Sequence, residues 1–203
     1  SEAEGMLDFA RREGLVEAAR GEVLLEPWSR DSGENLIFSL LAYYKTARSW
    51  PRTVGVVSWT SKGLRFQLIA CGLKLAGHFQ FFGVGEYPAV FLARGCAAEA
   101  KYAANIVDTS LNPPAFQLRD PLLRDETLFA SKRWKRMPDE FPQNQAGNDQ
   151  FMQRVAEYYD VGDGVAGRVL IDLEKVRPGP EWESVQWPWV SESSSRREEI
   201  TPA

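Results

Sequence analysis

The sequence predicts an α/β fold with a parallel, doubly wound sheet. Up to about position 90, short apolar runs alternate with amphipathic stretches of helical length, the pattern of successive βαβ units. The run Thr53–Trp59 (Thr-Val-Gly-Val-Val-Ser-Trp) is β-branched and unbroken by charge, as a strand should be. A dense polar cluster, Glu26 to Asn35, sits between an apolar run and a helical pattern. Open α/β sheets place their ligands at such strand-to-helix turns.

Taken in order, Glu4–Ala19 reads as an amphipathic helix, opened by Ser1-Glu2-Ala3-Glu4 as a capping box ahead of Met6, Phe9 and Ala10. Glu22–Leu25 reads as a short buried strand. Glu34–Ala47 is a helix with Leu36, Leu40, Tyr43, Tyr44 and Ala47 at helical spacing. Thr53–Trp59 is a strand, and Lys62–Ala76 a helix with Leu64, Leu68, Cys71 and Leu75 on one stripe. His78–Phe82 is a further strand, ending at Gly83. Beyond it the signal fades: Ala97–Ile106 and Gln150–Tyr159 read as helices, and Asn112–Asn148 has weak periodicity. The expected organisation is an α/β domain over 1–110, an irregular C-terminal extension over 111–190 packing on it, and a disordered Ser- and Glu-rich tail over 191–203.

A helix that begins at residue 1 reads as the middle of an architecture, so a segment upstream is expected. Composition bounds the function. The 203 residues are 44% hydrophobic, enough to bury one substantial core. A net charge of −4 argues against a dedicated nucleic-acid binder. No apolar run approaches the ~18 residues of a membrane span. Cys71 and Cys96 show neither metal spacing nor a disulfide framework, which points to a reducing, cytoplasmic setting.

In a parallel sheet all turns that follow strands share the carboxyl edge, so the turns Arg30–Asn35 and Ser58–Arg65 are expected together in space. Lys62 and Arg65, three apart, share one face of a helix start, where cations oppose the macrodipole. An anion there would compensate them: a ligand phosphate or carboxylate, or a protein acid such as Glu34 or Asp31. The competing reading gives Asp31 and Glu34 to helix capping, Asn35 to a turn, and Lys62 and Arg65 to solvent.

At these turns the chain resembles the eukaryotic branch of the YdcF-like family, also called domain of unknown function 218. The resemblance lies in Arg30-Asp31-Ser32-Gly33-Glu34-Asn35-Leu36-Ile37-Phe38-Ser39, then Val56-Val57-Ser58-Trp59 with Lys62-Gly63-Leu64-Arg65-Phe66, then Phe81-Phe82-Gly83-Val84. Weaker echoes are Asp120-Pro121, Lys132-Arg133, Arg136 with Pro138, and Trp187-Pro188-Trp189. The match covers residues 1–90 well and the rest loosely. It implies a Rossmann-like fold and a ligand of the S-adenosylmethionine class. In that family a first strand and a Gly-Gly loop precede the segment seen here as Ser1-Glu2-Ala3, so both are expected to lie upstream of this chain. Gly33, and Gly85-Glu86 in place of Asp-Pro, depart from the family pattern.

Other motifs are weak. Gly83-Val84-Gly85 lacks the third glycine of a dinucleotide loop, since Pro88 stands there. His78 is the only histidine, no Gly-x-Ser-x-Gly elbow exists, and nothing in the spacing of Asp31, Glu34 and Asp108 demands a metal. Lys132-Arg133-Trp134-Lys135-Arg136 reads as a solvated or partner-docking face, and Trp182–Trp189 as a clasp packed back on the domain.

The expected function is binding of a small anionic, nucleotide-like ligand at the carboxyl edge by Arg30, Asp31, Ser32, Glu34, Asn35, Ser58, Lys62 and Arg65. Lys62 and Arg65 would hold the anion, and Glu34 and Asn35 a hydroxyl or amine. One alternative is a hydrolase or transferase on a phosphorylated or nucleotide substrate, with Glu34 or Asp31 as general base. The other is a non-enzymatic interaction module whose polar turns only cap helices.

Overall fold

A computed structural model describes residues 2–18, 21–85, 89–108, 117–118, 131–175 and 184–190. The helix expected over Glu4–Ala19 is broken into α1 (Glu2–Arg12) and α2 (Leu15–Ala18). The break falls at Gly14, whose φ of 68° suits glycine and strains other residues. The strand expected at Glu22–Leu25 does not form: the stretch is irregular, with Val23 and Leu24 exposed. No neighbouring strand among the described residues offers it a ladder, and Pro27 just beyond has no N–H to give one.

The helix α3 (Ser32–Ala47) is central. Leu36, Ile37, Phe38, Leu40 and Leu41 are all buried, more than one helical face can hold, so α3 is packed on several sides. It ends at Arg48, in the left-handed region (φ 54°), whose N–H donates to Tyr44 O at 2.9 Å. Then come strand β1 (Val54–Trp59), a 3-10 turn (Thr60–Lys62), helix α4 (Gly63–Gly72), a second 3-10 turn (Ala76–His78) and strand β2 (Phe79–Val84). β1 and β2 pair in parallel, in register from Val54 opposite Phe79 to Trp59 opposite Val84. The doubly wound sheet of the sequence reading is thus represented, among the described residues, by one two-stranded βαβ unit.

Side chains alternate along both strands. Val54, Val56 and Phe79 face the core, and Phe81 stacks on Phe66 of α4 (6.1 Å, 25°). On the other face Val57, Trp59, Phe82 and Val84 are exposed.

Helix α4 was expected to run to Ala76 and stops at Gly72, because Lys74 turns left-handed (φ 56°) and Leu75 N–H bonds back to Ala70 O at 2.8 Å. Its last carbonyls are satisfied from far along the chain. Trp187 Nε1 donates to Gly72 O (3.2 Å) and Trp189 Nε1 to Leu73 O (2.8 Å), with the two indoles stacked at 5.0 Å. The expected clasp therefore exists through Trp187 and Trp189, while Trp182 lies outside the described residues.

Helix α5 (Ala89–Ile106) starts earlier than the expected Ala97. After it come a two-residue antiparallel pair, β3 (Val107–Asp108) with β4 (Gln117–Leu118), and a one-turn helix α6 (Ser131–Trp134). The extension expected to be irregular holds two full helices: α7 (Gln145–Tyr159), which contains the expected Gln150–Tyr159 and starts earlier, and α8 (Val165–Lys175), which was not expected. Asn144 caps α7 by accepting from Gly147 N–H at 3.0 Å, a start the polar first turn concealed. These helices are not an appendage. Phe151, Met152, Val155 and Tyr159 of α7 and Val169, Leu170 and Leu173 of α8 share one core with α3, α4, Trp187 and Trp189. The tail 191–203 lies outside the described residues.

Candidate functional site

The polar cluster is built first by Glu26. Its carboxylate accepts from Trp28 N–H (2.7 Å), Ser29 N–H (3.1 Å) and the Tyr159 hydroxyl (3.1 Å), which folds the loop against α7. Asp31 then caps α3, its Oδ1 accepting from Glu34 N–H at 2.9 Å. A capping box would send Glu34 back to the cap residue's own N–H. Here Glu34 reaches one residue further, to Arg30.

That reach creates a buried ion pair. Glu34 is 0% exposed and Arg30 4%. Glu34 accepts from Arg30 N–H (2.9 Å), Nε (3.0 Å) and Nη2 (2.6 Å). Arg30 Nη1 donates to Asn148 Oδ1 (2.9 Å), and the guanidinium lies 4.2 Å above the Phe151 ring. Arg136 donates to the Arg30 carbonyl at 2.5 Å. Both charges are fully partnered, which is what burial requires of them. Arg30 and Glu34, expected as ligand contacts, join the start of α3 to α7.

A second pair lies beside the first. Arg65 in the first turn of α4 grips Glu99 of α5 with two hydrogen bonds, Nε to Oε2 (3.0 Å) and Nη2 to Oε1 (2.5 Å). Its plane lies 4.6 Å over the Tyr102 ring, and Nη1 donates to Ser32 Oγ at 3.5 Å. The two expected turns do meet, through Ser32 and Arg65. The anion that compensates Arg65 is neither Glu34 nor Asp31 but Glu99, which sequence reasoning missed. Its one signal was to be the sole acid in the α5 sequence, otherwise dominated by small and apolar residues.

The remaining expected residues differ in availability. Lys62, just before α4, is half-buried, and among the described residues its side chain makes no hydrogen bond or ion pair. Ser58 is half-buried at the carboxyl end of β1. Asn35 is exposed and donates to Ser29 Oγ at 3.3 Å. In the basic cluster read as a solvated or docking face, Arg133 is buried and Arg136 holds the Arg30 carbonyl, so these two serve the fold. The Lys132 side chain and the Asp120-Pro121 pair lie outside the described residues. Among the described residues no three His, Cys, Asp or Glu groups converge as metal ligands, and no helix is long and apolar enough to cross a membrane. Compared with family models, with curated proteins and with solved structures, the chain matches none.

Proposed function

We propose that the protein binds a small anionic, nucleotide-like ligand at the carboxyl edge of β1–β2, with Lys62 as its charge anchor. The observation that carries this is the contrast between neighbouring cations. Arg30 and Arg65 are neutralised by Glu34 and Glu99, whereas half-buried Lys62 has no acid partner among the described residues. A cation held at a helix start without a counter-charge is destabilising there, and a bound anion relieves it. Ser58, half-buried at the end of the same strand, and Ser32 supply hydroxyls, and exposed Asn35 supplies an amide. In this reading β1-α4-β2-α5 is the nucleus of a Rossmann-like sheet, and the S-adenosylmethionine class follows from the YdcF-like resemblance.

The enzyme reading gains nothing from Glu34. A general base must reach the proton it takes, and this carboxylate has no exposure and three donors from Arg30.

Calorimetric titration with S-adenosylmethionine and a panel of nucleotides tests the proposal, with Lys62→Ala as the control. The expected result is binding of at least one ligand, weakened tenfold or more by the substitution. Absence of binding across the panel, or binding indifferent to Lys62→Ala, overturns it.

A further inference from the structure

Two surfaces of this chain expose large apolar side chains. The first is the outer face of the sheet. Val57 pairs with Phe82 and Trp59 with Val84, all four between 45% and 68% exposed. Glycines smooth this face. A Cβ on Gly55 would meet the Phe82 ring at 3.3 Å, and one on Gly85 would strike the Trp59 ring, so both aromatic rings lie down over glycine backbone. The four side chains leave roughly 400 Å² of apolar surface exposed, the scale of a monomer's largest patch and often a functional one.

The second surface is α1. Ala3, Met6, Leu7 and Ala10 follow the i, i+3, i+4, i+7 rule, with Phe9 at the stripe's border. Met6 and Phe9 are 66% and 53% exposed, while Ala3, Leu7 and Ala10 are half-buried. Glu4, Asp8 and Arg11 adjoin the stripe on the side of Leu7, with Asp8 and Arg11 paired at 3.7 Å, so α1 could lie on an apolar platform with these charges in water at its margin. Parallel sheets are covered by helices on both faces. Here the core side is covered, while no described helix covers the outer side and its four side chains keep about half or more of their surface exposed.

We propose that α1 of a second copy covers the outer face of β1–β2, the two copies exchanging their α1 helices about a two-fold axis. Area decides between this and simpler pairings. Two sheet faces pressed together would bury only about 800 Å², the size of an incidental contact. Reciprocal exchange buries both sheet faces and both helix stripes, on the order of 1,400 Å², inside the range of specific stable interfaces. The connection permits it. Glu22, Val23 and Leu24, between α2 and the anchored Glu26, are exposed and free of regular structure, the kind of hinge that helix exchange uses.

Light-scattering mass across a concentration series tests this, with Phe9→Asp and Val57→Asp as variants at exposed positions and circular dichroism as the check on folding. A dimer that both substitutions turn into a folded monomer is expected. Cross-linking fixes the geometry. In a Cys71→Ser, Cys96→Ser background, Phe9→Cys chains refolded together with Val57→Cys chains should give an intermolecular disulfide. A monomer at every concentration, or a dimer indifferent to Phe9→Asp, overturns the proposal. So does a disulfide that forms only within single chains carrying both cysteines.

Discussion

Arg65 and Glu99, 34 residues apart, close a two-point ion pair between the starting turn of α4 and the middle of α5. Their side chains are 24% and 9% exposed, so removing the arginine strands a mostly buried carboxylate. Arg65→Ala should cost about 1–3 kcal/mol in denaturant unfolding. Lys62→Ala, three residues earlier, should stay within ~0.5 kcal/mol of the parent or gain stability, because it removes an uncompensated cation from a helix start. Opposite behaviour of two cations so close in sequence is the signature to look for.

The Arg30–Glu34 pair is the more demanding case. Arg30→Ala leaves a fully buried carboxylate without its two guanidinium donors and its counter-charge, keeping only the backbone N–H of residue 30, and should cost roughly 3–5 kcal/mol. Removing both charges together, as Arg30→Met with Glu34→Leu, should cost much less than the sum of the single changes. Additive losses in such a double-mutant cycle would show that the pair is not coupled.

Gly147→Ala sets two effects against each other. Helix propensity alone favours alanine by about 1 kcal/mol. A Cβ at this third position of α7, however, would run into the backbone of Pro142, which has little freedom to retreat. The clash should win and lower stability by about 2 kcal/mol, read as a fall in melting temperature.

Tyr159 predicts an alkaline limit. Burial, the negative charge of Glu26 and the hydrogen bond to it push this phenol well above its ordinary value of 10.0. The folded protein therefore keeps a proton that the unfolded chain releases. Its contribution is fully present below pH 10 and is lost as pH rises beyond, at up to about 1.4 kcal/mol per pH unit. Tyr159→Phe should flatten that decline while costing about 1 kcal/mol near neutrality. A decline of unchanged slope in the variant would mean that another group titrates.

What the sequence disclosed follows the reach of each signal. The α3, β1, α4 and β2 pattern was legible because periodicity and β-branching act within a few residues. Ser32 and Arg65 do meet, as the carboxyl-edge rule led us to expect, but not by that rule's route, since the strand it required before Arg30 does not form. The strand at Glu22–Leu25 was misread because an apolar run becomes a strand only beside another strand, and nothing local reports the neighbour. The destinations of Arg30 and Arg65 were hidden for the same reason. Asn148 and Phe151 lie 118 and 121 positions from Arg30, and no spacing rule connects them. Helix α8 was missed despite Val165, Val169, Leu170 and Leu173 at helical spacing, in an extension expected to be irregular.

The two indole hydrogen bonds to Gly72 and Leu73 also set an order of events. Trp187 and Trp189 are translated 115 and 116 residues after the carbonyls they occupy. While the ribosome is still making α7 and α8, the end of α4 must satisfy itself with water, and the core beneath it has no cover. Such distant closure is slow to find and leaves apolar surface open during synthesis. The nascent chain thus passes a long interval in which its earliest core helices exist without their seal, and only the late Trp-Pro-Trp segment ends that exposure.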